Sequence, residues 1–171
     1  MAESHAELDV KIATADLSDA HPKAQVAESL FRDFGGVKSF YGPVVTAKVF
    51  EDNVIVRELL QEPGEGRVLV IDGGGSMRCA LVGGNLAQLG LDNGWRGLVV
   101  NGCIRDSEEI RQLAIGVKAL ASHPRRSEKG LHTGHRNRPV VFAGVTFRNG
   151  QWLYADSDGM VVSEVALHAG P

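Results

Sequence analysis

The sequence lacks most of the features that mark a specialised environment. No apolar run approaches the roughly 20 residues of a bilayer-spanning helix, so no membrane insertion is expected. There is no basic excess: 18 Lys and Arg stand against 21 Asp and Glu, a formal net charge of −3. Direct nucleic-acid binding normally leaves a basic footprint, so none is expected. The basic residues that do cluster, Arg125-Arg126 and Arg136 to Arg138, read as a solvated loop. Only two cysteines occur, Cys79 and Cys103, both within apolar sequence. They read as two buried free thiols rather than a disulfide or a metal site. The opening stretch Met1 to Asp9 is polar and acidic, without the basic-then-apolar order of a secretory signal. The cytoplasm is therefore the expected compartment.

Glycine is what the chain has in plenty, 21 of 171 residues. Glycine is costly inside helices and strands, so this many imply tight turns and backbone that approaches something closely. The length suits one domain with one sizeable core. A single domain over 1–171 is expected, with 1–11 and 166–171 as tails. Thr14 to Ala20 reads as a short helix capped by Thr14 or Asp16, and Ala24 to Phe34 as a short helix or irregular segment. Pro43 to Phe50 reads as a strand. Glu51 to Gln61, apolar at 54, 55, 56, 59 and 60, reads as a helix capped by Asp52 or Asn53. Arg67 to Ile71 and Gly97 to Val100 are continuous apolar strands, the pattern of a sheet covered on both faces. Helices are expected at Gly83 to Asn93, with Leu86, Leu89 and Leu91 inward, and at Ser107 to Leu113. Further strands are expected at Ile115 to Ala121, Val140 to Phe147 and Gln151 to Ala155. Asn149-Gly150 signals a hairpin between the last two, and Pro124 to Arg138 is a long polar loop.

Two motifs carry candidate chemistry. Gly83-Gly84-Asn85-Leu86 enters a helix, where unpaired backbone N–H groups and a partial positive charge suit a carboxylate or phosphate. The bland alternative is a glycine pair that only allows close packing. Arg105-Asp106 follows a buried strand, and in open α/β sheets ligands gather beyond the carboxyl ends of strands. A guanidinium grips a carboxylate with two prongs, and a carboxylate holds Mg²⁺ largely through waters. Glu109, one helical step on, is placed to hold one of those waters. The alternative is a surface ion pair with helix-capping acids. Three other stretches read as structural. Asp72 to Ser76 lacks the ending of a P-loop and the spacing of a dinucleotide fingerprint. His132-Thr133-Gly134-His135 lies in a polar loop without nearby acids or cysteines. Asp156 to Gly159 lacks the terminal acid of a calcium loop and reads as a β-turn.

Taken together, the ordered pieces resemble the RraA-like family, named for the regulator of RNase E activity A. They are Phe34-Gly35-Gly36, Phe50 to Asn53, Arg67 to Ala87, Asn93 to Asp106, Ile115 to Ser127, and the closing AGVTF and WLYADSDG stretches. The resemblance implies an α/β fold, a β/β/α sandwich similar to the swivelling phosphohistidine domain, assembled as a homotrimer that in some cases stacks to a hexamer. It implies a carbon–carbon lyase that cleaves 4-hydroxy-4-methyl-2-oxoglutarate to pyruvate and decarboxylates oxaloacetate with a divalent metal, Mg²⁺ or Mn²⁺. Other members bind and inhibit RNase E-type endoribonucleases, so a non-catalytic regulator is the alternative. Some members carry methyltransferase names, but no fingerprint for such a cofactor is present. The resemblance implies that Asp106 holds the metal; Glu109 behind it rests on its helical spacing alone. Arg105 and the amides of Gly83, Gly84, Asn85 and Leu86 fix the 2-oxo acid, and Arg105 stabilises the enolate. The enzymes also carry an acid at the position of Gly84, so this chain departs from the pattern, and ligand binding is expected to survive better than turnover.

Overall fold

A computed structural model describes residues 12–128, 130 and 133–168. Tail residues 1–11 and 169–171, and His132 of the paired histidines, lie outside the described residues. The architecture grows from four parallel apolar strands: β3 (Phe40–Lys48), β4 (Val68–Asp72), β6 (Gly97–Ile104) and β7 (Gly116–Ser122), paired 3-4-6-7. Every residue of β4 is buried, as expected for a strand covered on both sides. The strand period of two sorts the side chains. Val45, Ala47, Leu69, Ile71, Leu98 and Val100 face one core, and Val44, Val68, Val70 and Val99 face another.

The first core is closed by helices. Helix α2 (Val54–Gln61) buries Ile55, Val56, Leu59 and Leu60, and α3 (Gly84–Asp92) buries Leu86 and Ala87. Leu89 and Leu91 pack against the same core while staying partly exposed. Truncating a fully buried leucine such as Leu60 to alanine costs about 2–5 kcal/mol. The second core is closed by β strands. β11 (Trp152–Asp156) and β12 (Gly159–Ser163) continue the sheet antiparallel from β3 and curl it, while β9 (Val140–Phe142) and β10 (Val145–Phe147) form a separate hairpin. Phe142, Phe147, Leu153 and Met160 meet there. The result is the expected mixed α/β fold, with a helix layer and two β layers. Phe40 lies across Gly97 and Gly116, where an added Cβ would collide with its ring.

Several expectations shift. Ala24 to Phe34 holds no helix but two edge strands, β1 (Gln25–Val26) and β2 (Arg32–Asp33). Val140 to Phe147 is not one strand: it folds back at Ala143-Gly144, both at positive φ (51° and 71°), the conformation of a tight hairpin turn. Asn149-Gly150 joins β10 to β11 without pairing them; Asn149 Oδ1 instead accepts the Thr46 N–H at 2.9 Å. Helix α1 (Thr14–Ala20) has no side-chain cap. Thr14 donates through its N–H and hydroxyl to the distant Asp156 carboxylate, at 2.8 and 2.6 Å. The tail expected from 166 is anchored over its first residues, since Leu167 N–H donates to the Tyr154 hydroxyl at 2.7 Å. Among the described residues, no helix is long and apolar enough to cross a membrane.

Candidate functional site

The short strand β5 (Ala80–Val82) pairs parallel with β6. That pairing brings the two motifs together. The chain leaves β5 into Gly83 and α3, and leaves β6 into Arg105-Asp106, with the Arg105 N–H donating to Val82 O at 2.9 Å. Both motifs therefore sit at the carboxyl ends of adjacent parallel strands, where ligands gather. Asp106 has a left-handed backbone (φ 57°, ψ 43°), uncommon outside glycine but tolerated by Asp. It opens the short helix α4 (Ser107–Ile110), which stops short of the expected Leu113, and makes no side-chain cap on it. Its Oδ2 reaches across to accept the Gly84 N–H at 2.9 Å.

The Gly84 amide is therefore already occupied. The next first-turn amides, Asn85 and Leu86, have no intrahelical acceptor, and they border a cavity of about 120 Å³ together with Gly83. Arg105 and Asp106 form the facing wall. Arg105 forms no hydrogen bond or ion pair with another described side chain, so its guanidinium is free to grip a ligand. The cavity is well below the roughly 300–1,000 Å³ of pockets for drug-sized ligands, which suits a small acid and not a nucleotide-sized cofactor.

Gly84 lacks the acid that the resemblance led one to look for, but the space beside it is filled. A Cβ built there would overlap the Glu109 carboxylate, whose Oε1 lies 2.8 Å away. Glu109, carried by α4, thus puts an acid into the volume that a side chain at position 84 would occupy. The sequence alone places Glu109 only behind the metal. Arg57 and Arg126, which no sequence signal singles out, also line the cavity. Arg57 is an exposed residue of α2 and Arg126 an exposed residue of the polar loop, so neither carried a pattern that would single it out. Asn53 was read as a possible cap. Asp52 takes that role instead, its Oδ1 accepting the Val54 N–H at 2.9 Å, while Asn53 Nδ2 donates to Leu81 O.

The other stretches are structural. Asp72 Oδ1 accepts from Gly74 N–H and Asn101 Nδ2, and Gly73 and Gly75 donate to Asn101 O. These bonds fold the glycine loop onto its own neighbour strand. Asp156 to Gly159 closes the β11–β12 hairpin. Cys79 and Cys103 are free and buried, and burial pushes both thiols up from their ordinary range, the signature of inert cysteines.

The donor set fits a hard cation. Asp106 has one oxygen engaged by Gly84, leaving Oδ1 for a metal. Mg²⁺ typically takes one or two carboxylates and completes its shell with waters and substrate oxygens. Among the described residues no cluster of three or more His, Cys, Asp or Glu side chains could hold an ion, so a zinc-type all-protein cage does not fit them.

Fold and site together define a mixed α/β protein with a small-anion pocket at the carboxyl edge of its parallel strands. Residues 14–162 match the family model described as RraA-like: Aldolase/RraA, and the chain belongs to the RraA-like family. It is 56% identical over 151 residues to a Deinococcus radiodurans protein named "Putative 4-hydroxy-4-methyl-2-oxoglutarate aldolase", covering 88% of this chain and 94% of that one. A protein of the same name from Alkalilimnicola ehrlichii is 56% identical over 160 residues, covering 92% and 98%. Among solved structures, the RNA-processing inhibitor RraA from Thermus thermophilis superposes with a TM-score of 0.89 at 43% identity, covering 94% of this chain and 99% of that one. A Geobacillus kaustophilus protein described as an S-adenosylmethionine: 2-dimethylmenaquinone methyltransferase does so at 0.90 and 45%, with the same coverage.

Proposed function

We propose that this protein is a divalent-metal-dependent carbon–carbon lyase of the 4-hydroxy-4-methyl-2-oxoglutarate aldolase type, releasing pyruvate from 2-oxo acids and decarboxylating oxaloacetate. One observation carries the reading: unengaged helix-start amides, an unpaired guanidinium and a carboxylate converge on a cavity of small-acid size. The names of the relatives at 56% identity support the same chemistry.

In this reading the amides of Asn85 and Leu86, with Arg105, hold the carboxylate and 2-oxo oxygen of the substrate. Mg²⁺ or Mn²⁺ bound at Asp106 Oδ1 would supply Lewis-acid stabilisation of the charge that develops on that oxygen. The C4 hydroxyl proton passes through a water to Glu109, whose carboxylate stands beside Gly84, outside the residues that line the cavity. As the C4–O bond becomes a carbonyl, the C3–C4 pair stays with C3 as the pyruvate enolate, and Arg105 stabilises its oxygen. Glu109 then returns the proton to C3, and both products leave neutralised at the reacting atoms. The acid that the family places at position 84 is thus supplied from α4.

Pyruvate release from oxaloacetate with Mg²⁺ or Mn²⁺, followed by coupling to lactate dehydrogenase against a metal-only control, tests the reading. Asp106→Ala is expected to reduce the metal-dependent rate to that control. A wild-type protein no faster than the control would end the enzyme reading. Similarity to the Thermus inhibitor supports a second role, capture of an RNase E-type endoribonuclease, which a pull-down with that enzyme checks. A homotrimer, or a hexamer of two, is the assembly that goes with the family reading; Phe50 and Met77, each more than half exposed, are apolar surface that an interface between copies would cover. The two reduced, buried thiols support a cytoplasmic setting.

A further inference from the structure

The alternation of β11 sends Leu153 and Ala155 into the second core and Trp152 and Tyr154 to the opposite side of the sheet. β3 sets Tyr41 directly across from Tyr154, and the two rings stack with centres 5.6 Å apart. The result is an aromatic face that contributes no residue to the described lining of the carboxyl-edge cavity. The chain after β12 crosses this face. Leu167 packs against the cluster of Ile12, Tyr154 and Val161. The next residue lays the His168 ring among Tyr41, Trp152 and Tyr154, with ring centres 4.7, 4.8 and 5.8 Å away.

The contact that holds the segment depends on where one proton sits. Tyr154 is fully buried. Burial pushes its hydroxyl up from the ordinary range, while the amides of Leu167 and His168 pull the other way. The group therefore stays O–H near neutral pH, with one proton to give and lone pairs to receive. Its oxygen accepts the Leu167 N–H at 2.7 Å. Its proton needs an acceptor, since buried polar groups are nearly always satisfied, and His168 Nδ1 lies 2.7 Å away. Nδ1 therefore accepts, which fixes the neutral tautomer with its proton on Nε2. A proton added at Nδ1 would turn the acceptor into a second donor and orphan the tyrosine proton. The surroundings do not repay that loss. The Arg96 guanidinium already lies 4.9 Å from the Tyr41 ring centre, so an imidazolium on the same tyrosine meets a like charge. Glu65 shares the adjoining hollow with Arg96, Tyr41 and His168. Glu164, on the segment itself, is held by Gln151 Nε2 at 2.7 Å, and Asp156 on β11 is held by Thr14. His21 and Lys23 border the hollow on the Leu167 side.

We propose that residues 164–168 form a strap across the aromatic face of β3 and β11, buckled by the neutral His168 ring on Tyr154 and released when His168 takes up a proton. A histidine in a released segment titrates near the ordinary value of about 6.5, and the closed buckle accepts only the neutral ring. Closure is therefore complete above that value and weakens by up to about tenfold for each pH unit below it. The strap walls two hollows, one of about 320 Å³ beside His168 and one of about 530 Å³ beside Leu167. Its release opens both and uncovers Tyr41 and Trp152, so the protein shows a new apolar, aromatic surface in mild acid.

The test is amide hydrogen exchange on the full chain by NMR between about pH 7.5 and 5, a range that spans histidine protonation. Asp156, held below its ordinary value, stays ionised throughout. Protection factors, taken relative to the unstructured rate at each pH, report local opening. The Leu167 amide is expected to lose protection by up to about tenfold per pH unit below about 6.5. The Val162 amide, inside the β11–β12 pairing, should keep its own. His168→Phe keeps a ring in the aromatic box and removes Nδ1, and Tyr154→Phe keeps the buried ring and removes the hydroxyl. Each should show a Leu167 amide that is less protected at pH 7.5 and unchanged across the range. Because His21 stays in both variants, a pH effect arising there would persist in them. Three results overturn the strap: wild-type protection at Leu167 that does not change with pH, the same fall in His168→Phe, or a fall that Val162 shares. None of these readings depends on whether the protein is a lyase.

Discussion

Replacing Gly83 by alanine isolates the contact on which the site depends. Gly83 has φ −115° and ψ −171°, extended backbone that alanine adopts freely, so the substitution brings no backbone penalty. Its effect comes from the methyl group. A Cβ at Gly83 would lie 2.8 Å from Asp106 Oδ2, 3.3 Å from Arg105 Cγ and 3.4 Å from Arg105 Nε. Ordinary contact begins near 3.4 Å, so the Asp106 oxygen must retreat by about 0.6 Å, lengthening its 2.9 Å bond from Gly84 N–H. That bond acts as a helix cap supplied from another element, and caps are worth about 0.5–2 kcal/mol. In a protein of this size each kcal/mol moves Tm by about 2–4 °C. The expected stability loss is therefore small, a few degrees by calorimetry. The expected activity loss is not, because displacing reacting groups by about 1 Å costs about 10²-fold. The assay is metal-dependent pyruvate release, with circular dichroism to confirm the fold. A Gly83→Ala protein with wild-type kcat/KM would refute the argument that Arg105 and Asp106 act from this geometry. So would one whose activity falls only in proportion to its loss of folded protein.

Two further outcomes follow from named contacts. Glu109→Ala, which removes the carboxylate and empties the volume it fills, should lower turnover by about 10²–10⁴-fold, the usual worth of a positioned acid–base group. Adding Gly84→Asp to it should recover part of that loss, because the new carboxylate enters the vacated volume; single and double variants compared in the pyruvate assay check this, and no recovery counts against shared space. Asp156, which anchors α1, is partly buried, and burial pushes its carboxyl up. The hydroxyl and N–H of Thr14, with the Asp158 and Gly159 amides, outweigh that and hold it below its ordinary value. A depressed native carboxyl stabilises the fold above its unfolded pKa of about 3.9, and the stabilisation is lost as pH falls through the lower native value. The Tm gap between wild type and Asp156→Asn should therefore be full at neutral pH and close in acid; a gap that does not change with pH would show that the anchor is not ionic.

What the sequence made legible follows from how far each signal reaches. β4 and β6 are continuous apolar runs, and the helix pattern of α2 repeats over two turns, so their existence was readable locally. β5 is three residues behind a glycine loop and announces itself only by pairing with β6. Ala143-Gly144 turns a chain that reads as one strand, because alanine at positive φ is not a turn signal. Family resemblance and the rule for strand ends imply the pairing of Gly83 to Leu86 with Arg105-Asp106, and the β5–β6 register supplies its physical cause. The rest of the site was hidden for a different reason. Arg57, Arg126 and Ser127 look like solvated surface until the fold sets α2 and the segment after β7 against the same cavity. Glu109 meets Gly84 only because Asp106 turns the chain through a left-handed residue at the start of α4.

The balance of costs in this corner also bears on whether the pocket is a relic on a purely surface-acting regulator. Two buried atoms without hydrogen bonds and a left-handed aspartate each work against stability in the free protein. An unsatisfied buried polar atom alone costs about 1–3 kcal/mol, and a non-glycine residue in a sparsely populated backbone region about 1–3 kcal/mol. A native domain is stable by only about 5–15 kcal/mol in total, so a surface-only function would gain by relieving the Ser127 term with an alanine, which removes the orphan hydroxyl and breaks no side-chain bond. The two orphan atoms, Asn53 Oδ1 and Ser127 Oγ, both in the lining of one small cavity, are what a bound polar ligand would offset. Such a ligand must then raise Tm in proportion to the logarithm of its concentration above Kd, whether or not the protein turns it over.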